Sequence, residues 1–430
     1  MIDDVILKIN TMLWNWPTIV GLIIVSIYLS IKLKFPQFKI VFAIRKILKR
    51  DSDSKNKITS FKALMSILAG TLGTGNITGI AAAIVIGGIG SLFWMFISGI
   101  FMIVISYAEN YIVLKYRKYD KRRGYFGGTM YVLDEVLDKK VLAVIFAVVL
   151  VISTLTSGTM TQSNSLSTLL KTTYNISPKV VGILLAILSA YIVFGGKKRI
   201  AKISSIVIPV CTIFYIVLCF KILYINKAHI FVGIKNMIYA AFGMKQFVGG
   251  IVGISLSKVI GKGFAIGMFS NEAGMGTAPI FTATVEEKDI NQEAKIAANS
   301  VIIDTLVLCM LTGITIVSTG AYNIQDINIM LKEVFQVVPK GCEILNICMM
   351  FFVIATIPCL EFYAEEAIRY LFKSNISMYI FRILYIIGIY IGSIMKIEIV
   401  WNLSGIMNIL ITIPNIYMVL KCVKQNLHTE

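Results

Sequence analysis

Apolar residues run along this chain in long windows: 12–34, 61–85, 91–114, 141–170, 178–195, 203–225, 237–260, 293–320, 344–371, 377–395 and 398–421. A helix needs about 20 apolar residues to cross a bilayer, so the pattern predicts eleven membrane-spanning helices with short polar connections. Two stretches depart from it. Residues 70–80, GTLGTGNITGI, place Gly73, Thr74, Gly75 and Asn76 side by side with apolar sequence on both flanks. Residues 261–292 carry too many glycines and polar residues for a clean span and too many apolar ones for a loop. This segment reads as re-entrant or gating on the cytoplasmic side; a twelfth, kinked span is the alternative.

A helix that breaks inside a membrane must find new partners for the backbone groups it frees, and a ligand or ion in the break supplies them. Around Gly73–Asn76 the next half-helix starts near Ile77, and its open amides and positive dipole end suit a carboxylate. The preceding half-helix ends in free carbonyls at Gly70–Leu72, which suit a hard cation such as Na⁺. The competing account makes Gly75 and Gly79 a small-residue packing face. A second interruption is expected five spans later, in the seventh span, at Gly243, Gly249, Gly250 and Gly253. That offset is what an inverted five-helix repeat produces, with two broken helices meeting at mid-membrane. The feature points to transport.

Charge orients the spans. Lys and Arg crowd the loop after the first span (Lys32, Lys34, Lys39, Arg45, Lys46, Lys49, Arg50) and recur two loops on (Lys115, Arg117, Lys118, Lys121, Arg122, Arg123). They return at Lys139 and Lys140, at Lys197, Lys198 and Arg199, at Arg369 and Lys373, and at Lys421 and Lys424. The positive-inside rule then puts the N-terminus outside and the C-terminus in the cytoplasm, a parity that eleven spans satisfy. The expected location is the plasma membrane, multi-pass.

Composition agrees. With 57% apolar residues and mean hydropathy +0.81 the chain is not an ordinary soluble globule, and its net charge of +18 lies in loops, where it reads as topology and lipid attraction rather than nucleic-acid binding. Seven cysteines occur singly and only two histidines are present, so neither a disulfide framework nor a Cys/His metal site is visible. The first apolar stretch follows Asp3 and Asp4 rather than a basic segment and lacks a cleavage site, so a true span is expected, not a signal peptide. No catalytic triad, GxxxxGK or HExxH pattern supports an enzyme.

Further polar residues sit inside spans. Gln162 follows Thr159 by three positions in TSGTMTQSNS (156–165), and serves either a ligand or a neighbouring helix. Intramembrane acids are costly and are functional candidates by default. Asp304 reads as an ion or proton site, or as a cap for the 261–292 segment; Glu109, near the basic end, reads as a salt-bridge partner; Glu361, beside Pro358, has no assigned role.

Residues 73–96, GTGNITGIAAAIVIGGIGSLFWMF, and 267–279, GMFSNEAGMGTAP, resemble the two signatures of the alanine/glycine:cation symporter family, the second written GLFSNEAGMGSAP in that family. Shorter matches run in order through SYAENYIVLKYR, FGGTMYVL, SGTMTQSNS, VFGGKKRI, IIDTLVLCMLTGI and IPNIYMVLK, so the resemblance covers roughly 12–421. It implies an all-α membrane protein of the leucine-transporter type, one transporter domain over 1–430. An extra N-terminal helix (12–34) precedes inverted five-helix repeats at 61–225 and 237–421. It further implies a symporter, not an enzyme, taking up alanine or glycine with Na⁺, sometimes H⁺, as coupling ion and with no other cofactor or metal.

Carried over by position, Thr74, Gly75 and Asn76 would bind the substrate carboxylate, Gln162 would line the pocket, and Gly249 and Gly250 would mark the second broken helix. Ser270, Asn271, Glu272, Gly274, Met275 and Gly276 would form the conserved cytoplasmic-side segment. Gly70, Leu72 and Thr356 make up the expected cation set. The ninth span departs from the family's FSTILGWSYYGE, reading IATIPCLEFYAE (354–365), with Ala355 for Ser and Leu360 for Trp. One oxygen ligand fewer predicts a weaker Na⁺ site, since hard cations want about six, and the smaller Leu360 predicts room for a larger substrate. Ile89 and Thr129 likewise replace family prolines.

Overall fold

The computed structural model describes residues 2–44, 58–243, 256–372 and 374–425. Helices α1 (Ile2–Leu13) and α2 (Trp16–Lys32) meet at a turn where Asn15 caps the Trp16 N–H and a proline opens α2. After α3 (Gln37–Ala43), helices α4 (Ser60–Thr71) and α5 (Thr78–Gly87) form one interrupted rod whose break at 72–77 holds a single 3₁₀ turn, Thr74–Asn76. Helix α6 (Gly90–Lys115) leads to a hairpin of β1 (Lys118–Asp120) and β2 (Gly124–Phe126), then to α7 (Thr129–Glu135). Helix α8 (Lys140–Ser153) passes through a π-helical stretch, Thr154–Met160, into α9 (Thr161–Tyr174). Then come α10 (Pro178–Val193), α11 (Gly196–Ile225) and α12 (Lys227–Ala241).

The second half repeats the plan. Helices α13 (Leu256–Asn271) and α14 (Ala278–Thr282) flank a break at 272–277. Helix α15 (Ile290–Val301) continues through a second π-helical stretch, Ile302–Cys309, into α16 (Met310–Thr319). The chain ends with α17 (Ile327–Phe335), α18 (Gly341–Phe372), α19 (Asn375–Ile394) and α20 (Ile397–Lys424). Each half thus opens on an interrupted rod followed by four further rods, the five-plus-five plan of the leucine-transporter type, with α1 and α2 outside both halves. Among the described residues eight helices are long and apolar enough to cross a membrane, and α10 with the two interrupted rods completes eleven passes.

The position of the seventh pass is corrected. The window 237–260 is not one helix: α12 ends at Ala241, and α13 begins at Leu256 and runs to Asn271. Residues 261–292 are therefore no re-entrant loop but contain most of the second interrupted rod, whose break falls at 272–277. Gly243 lies in the turn after α12 with φ +72°, while Gly249, Gly250 and Gly253 lie outside the described residues.

The broken rods are central. Helix α13 packs along α5 and α6, α15 packs on α6 and α4, and α18 backs α4 with α11. Buried Tyr215, Tyr363, Tyr385 and Phe281 fill the space between them. Peripheral helices instead expose rows of large apolar residues, such as Ile213, Phe214, Val217 and Phe220 on α11 and Ile380, Ile383, Leu384 and Ile387 on α19. Exposed apolar area of that extent fits lipid, not water.

Candidate functional site

The first break is fully buried. The Thr74 N–H donates to Gln162 Oε1 at 3.0 Å, so the amide freed by the interruption is taken by a side chain from the first turn of α9. Residue 73 must be glycine for this approach, because a Cβ there would stand 2.5 Å from the same oxygen. Gln162 follows directly on the π-helical stretch, a widened turn common at functional sites, and its Nε2 donates to the Ser157 carbonyl at 3.4 Å. On the other side of the break the Thr356 hydroxyl, from mid-α18, lies 3.4 Å from the Leu72 carbonyl. Gly70 makes room for Tyr363, whose hydroxyl would be 2.9 Å from a Cβ at that position. Among the described residues, Thr74 Oγ1, Asn76 Oδ1, Thr78 Oγ1 and Tyr363 Oη are buried with no hydrogen-bond partner. Each such atom costs about 1–3 kcal/mol unless something else satisfies it.

Asn76 turns its amide to Asp304. Its Nδ2 donates to Asp304 Oδ1 at 2.6 Å, while Ser270 Oγ and Thr305 Oγ1 donate to Oδ2 at 2.7 and 2.9 Å. Asp304 sits in the second π-helical stretch and is wholly buried. Among the described residues its partners are neutral donors, joined by the nearby Cys309 thiol. A buried anion without a countercharge is strongly disfavoured, so the arrangement calls for a cation or a proton. Asn76 and Ser270 thus meet at Asp304, Thr74 meets Gln162, Leu72 meets Thr356, and Gly75 and Gly70 lie against Phe269 and Tyr363.

The second break is closed by its own polar groups and by Glu109. Asn271 Nδ2 donates to Thr305 Oγ1 at 2.9 Å and its Oδ1 accepts from the Ala273 N–H; Thr277 Oγ1 donates to Glu272 Oε2 at 2.8 Å. Glu272 adopts a positive φ of 53°, and Gly274 and Gly276 have φ of 84° and 71°, a region in which glycine carries no steric penalty. The Gly274 and Gly276 N–H groups donate to the two oxygens of Glu109, 3.3 and 3.1 Å away. Asn415 Nδ2 joins them at 2.6 Å, while the Asn415 Oδ1 accepts from Thr129 Oγ1 at 2.7 Å. Met275 is buried beside this cluster. Glu109 is thus no salt-bridge partner of the basic loops; it takes the amides that the second break leaves open. Sequence reasoning passed over Asn415, Tyr363 and Phe269, although Phe269 immediately precedes the SNEAGMG run.

The two ends of the bundle differ. At the end carrying the basic loops, Arg117 donates to the carbonyls of Val285 and Glu287 at 2.5 and 2.7 Å, and Arg123 pairs with Glu366 at 2.5 Å. Arg382 holds both Glu361 (3.0 Å) and Glu365 (2.7 Å), which gives Glu361 a partner that its sequence position did not reveal. In the hairpin, the Arg123 and Arg122 N–H groups hold the Asp120 carboxyl below its ordinary pKa. At the opposite end a cavity of about 270 Å³ opens between α1, α5, α13 and α20, floored by Phe269 and Trp401.

The profile of the sodium:alanine symporter family matches residues 1–429. The chain belongs to that family. It is 30% identical to the sodium/alanine symporter AgcS of Methanococcus maripaludis, over 95% of this chain and 92% of that one. To the "Probable sodium/glutamine symporter GlnT" of Bacillus subtilis it is 32% identical, over 95% and 85%. Among solved structures, MhsT in complex with L-phenylalanine superposes with a TM-score of 0.61 at 13% identity, covering 86% of this chain and 90% of that one. A Na⁺-coupled sialic acid symporter gives 0.52 at 13%, covering 97% and 83%. These likenesses carry the fold, and the family is one of symporters, not enzymes.

Proposed function

We propose that this sodium:alanine symporter family member takes up small neutral amino acids of the alanine and glycine class together with Na⁺, by alternating access across the plasma membrane. The observation that carries the reading is the first break, where buried, unpartnered polar atoms of Thr74, Asn76 and Thr78 lie between Gln162 and Asp304. The half-helix that starts there presents amide groups to a carboxylate. The Leu72 carbonyl and the Thr356 hydroxyl offer oxygens to one cation, and Asp304 with Asn76 and Ser270 offers a charged site to a cation or proton. The relatives AgcS, a sodium/alanine symporter, and GlnT, a probable sodium/glutamine symporter, both pair Na⁺ with a neutral amino acid, and AgcS matches the smaller cargo.

Inward movement of one Na⁺ releases about 2.3 kcal/mol per 100 mV, and tenfold accumulation of substrate needs about 1.4 kcal/mol. One ion per substrate therefore sustains concentrative uptake. Asp304 also supports a second reading, proton coupling, because its partners among the described residues carry no positive charge and a proton would neutralise it as a metal ion would.

Proteoliposomes separate the two. Labelled alanine should accumulate under an imposed Na⁺ gradient and be displaced by glycine; accumulation driven by a pH gradient alone would favour the proton. Asn76→Leu should abolish uptake while the purified protein keeps its wild-type elution profile and helicity. Retained uptake in that variant would remove the site assignment.

A further inference from the structure

A separate cavity of about 590 Å³ lies between α9, α10 and the start of α18, at the end of the bundle away from the basic loops. Its volume falls within the range of about 300–1,000 Å³ usual for ligand clefts. It shares no lining residue with the first break or with the chamber floored by Phe269 and Trp401. Its position follows from how α10 is seated. Gly182 lets that helix close onto α19, where a Cβ would stand 3.0 Å from the Ser393 Cβ. Leu184 and Leu188 of the same helix line the cavity yet stay 56% and 45% exposed, and Ile347 of α18 is 52% exposed. Apolar exposure of this kind opens the cavity to lipid.

The cavity is graded by depth. Tyr174, the last residue of α9, and Glu343, in the first turn of α18, stand at its outer end. Leu166, Leu188 and Met350 line its inner end, each about 12–15 Å further along its helix. Tyrosine is enriched where a membrane meets water, so the outer end lies at headgroup level and the inner end among acyl chains. Between them Asn346 follows Glu343 by one turn, on the same face and about 4.5 Å deeper. Asn346 is only 4% exposed, and among the described residues neither its Oδ1 nor its Nδ2 has a hydrogen-bond partner. Hydrocarbon holds no water to satisfy such an amide. Its occupant must therefore bring one acceptor and one donor to the same place.

We propose that this cavity is a binding site for a phospholipid with a primary-amine headgroup, of the phosphatidylethanolamine type. One acyl chain lies along Leu166, Leu188 and Met350, and an ester carbonyl accepts from Asn346 Nδ2. The ammonium, with three hydrogens to give, donates to Asn346 Oδ1 and to the Glu343 carboxylate. A choline headgroup has no N–H for that oxygen, and an anionic glycerol headgroup brings no cation to Glu343. The inference goes beyond the transport reading and rests on neither its cargo nor its coupling ion.

Native mass spectrometry of the full chain, delipidated in detergent and titrated with dioleoyl lipids of each headgroup, tests it. The wild type should retain one phosphatidylethanolamine, about tenfold more tightly than phosphatidylcholine or phosphatidylglycerol. Glu343→Gln should abolish the preference over phosphatidylglycerol. Asn346→Leu should weaken phosphatidylethanolamine binding about tenfold, or ~1.4 kcal/mol. Leu188→Trp, which fills the inner end, should remove the bound lipid whatever its headgroup. Because Asn346→Leu deletes an unpaired buried amide, it should melt no lower than the wild type without lipid. Added phosphatidylethanolamine should then raise the melting temperature of the wild type and leave that of the variant unchanged. Lipid adducts that show no headgroup preference and are equal in all four proteins are annular lipid only and overturn the site, as does a preference for phosphatidylglycerol. A lower lipid-free melting temperature for Asn346→Leu would mean that the protein itself satisfies the amide, which also overturns it. So would a lipid-free dimer that Leu188→Trp dissociates, since a second copy would then occupy this face.

Discussion

Asp304 concentrates the electrostatic problem of the molecule at one residue. Three neutral groups donate to its two oxygens, and this orientation of donors fits a carboxylate rather than a carboxylic acid. Asparagine has nearly the same volume but no charge, and it brings two donor hydrogens toward the donors already present. Asp304→Asn is therefore expected to fold and to raise the Na⁺ concentration for half-maximal uptake by more than about tenfold, or ~1.4 kcal/mol. Uptake measured against external Na⁺ checks this; an unchanged Na⁺ dependence would move the coupling ion to the Leu72–Thr356 pair. Gln162 solves a different problem, since it fills the amide that the break exposes. Glycine at 73 and glutamine at 162 are thus one device, and the sequence could mark both residues without showing that they touch.

The interrupted rods are the elements on which the site depends, and they were unequally legible. The first announced itself because Gly73–Asn76 stands between two apolar half-helices, so the polar run read as an interruption, with a small-residue packing face at Gly75 and Gly79 as the competing account. The second was displaced to the glycines at 243–253 because the true break, 272–277, looks too polar for a membrane interior. It is tolerated there because Glu109 and Asn415, from α6 and α20, satisfy its backbone. No local pattern encodes that, since the partners are 165 residues upstream of Gly274 and 141 residues downstream of it. The ion pairs of Glu361 were hidden for the same reason, its partner Arg382 being one helix away. Glu109→Gln keeps the shape but replaces one of the two accepting oxygens by a donor. One glycine N–H is then left buried and unpaired, at about 1–3 kcal/mol. The variant should melt at lower temperature in detergent and lose uptake, and a wild-type melting curve would show that Glu109 does not hold the break.

At the scale of the whole molecule, one end holds a chamber and the other is cross-linked, which under the proposed alternating access is the arrangement of a carrier closed toward the basic loops. The cross-link is built by the β1–β2 hairpin: Arg117 at its root binds the carbonyls of Val285 and Glu287 beyond the second broken rod, and Arg123 at its tip binds Glu366 on α18. Lys197, at the start of α11, donates to the Arg123 carbonyl at 2.5 Å, and the Arg123 guanidinium lies 4.2 Å from the Phe126 ring centroid. A strap that ties α6, α11, α18 and the 285–287 loop must release before that end can open. Truncating Arg123 removes one partner of a pair whose carboxylate is buried, and this favours any conformation in which Glu366 reaches water. A shift of ~1.4 kcal/mol changes the ratio of the two conformations about tenfold. Arg123→Ala should therefore speed labelling of a cysteine introduced at Thr284, on the cross-linked side, by about tenfold with a membrane-impermeant reagent in inside-out vesicles, measured against the cysteine variant with Arg123 intact. Arg123→Lys should restore part of the protection, because it keeps the charge that faces Glu366 and loses only the fork. Labelling that is equal in all three proteins would mean that the hairpin is a passive loop and that closure of this end resides in the packed helices alone.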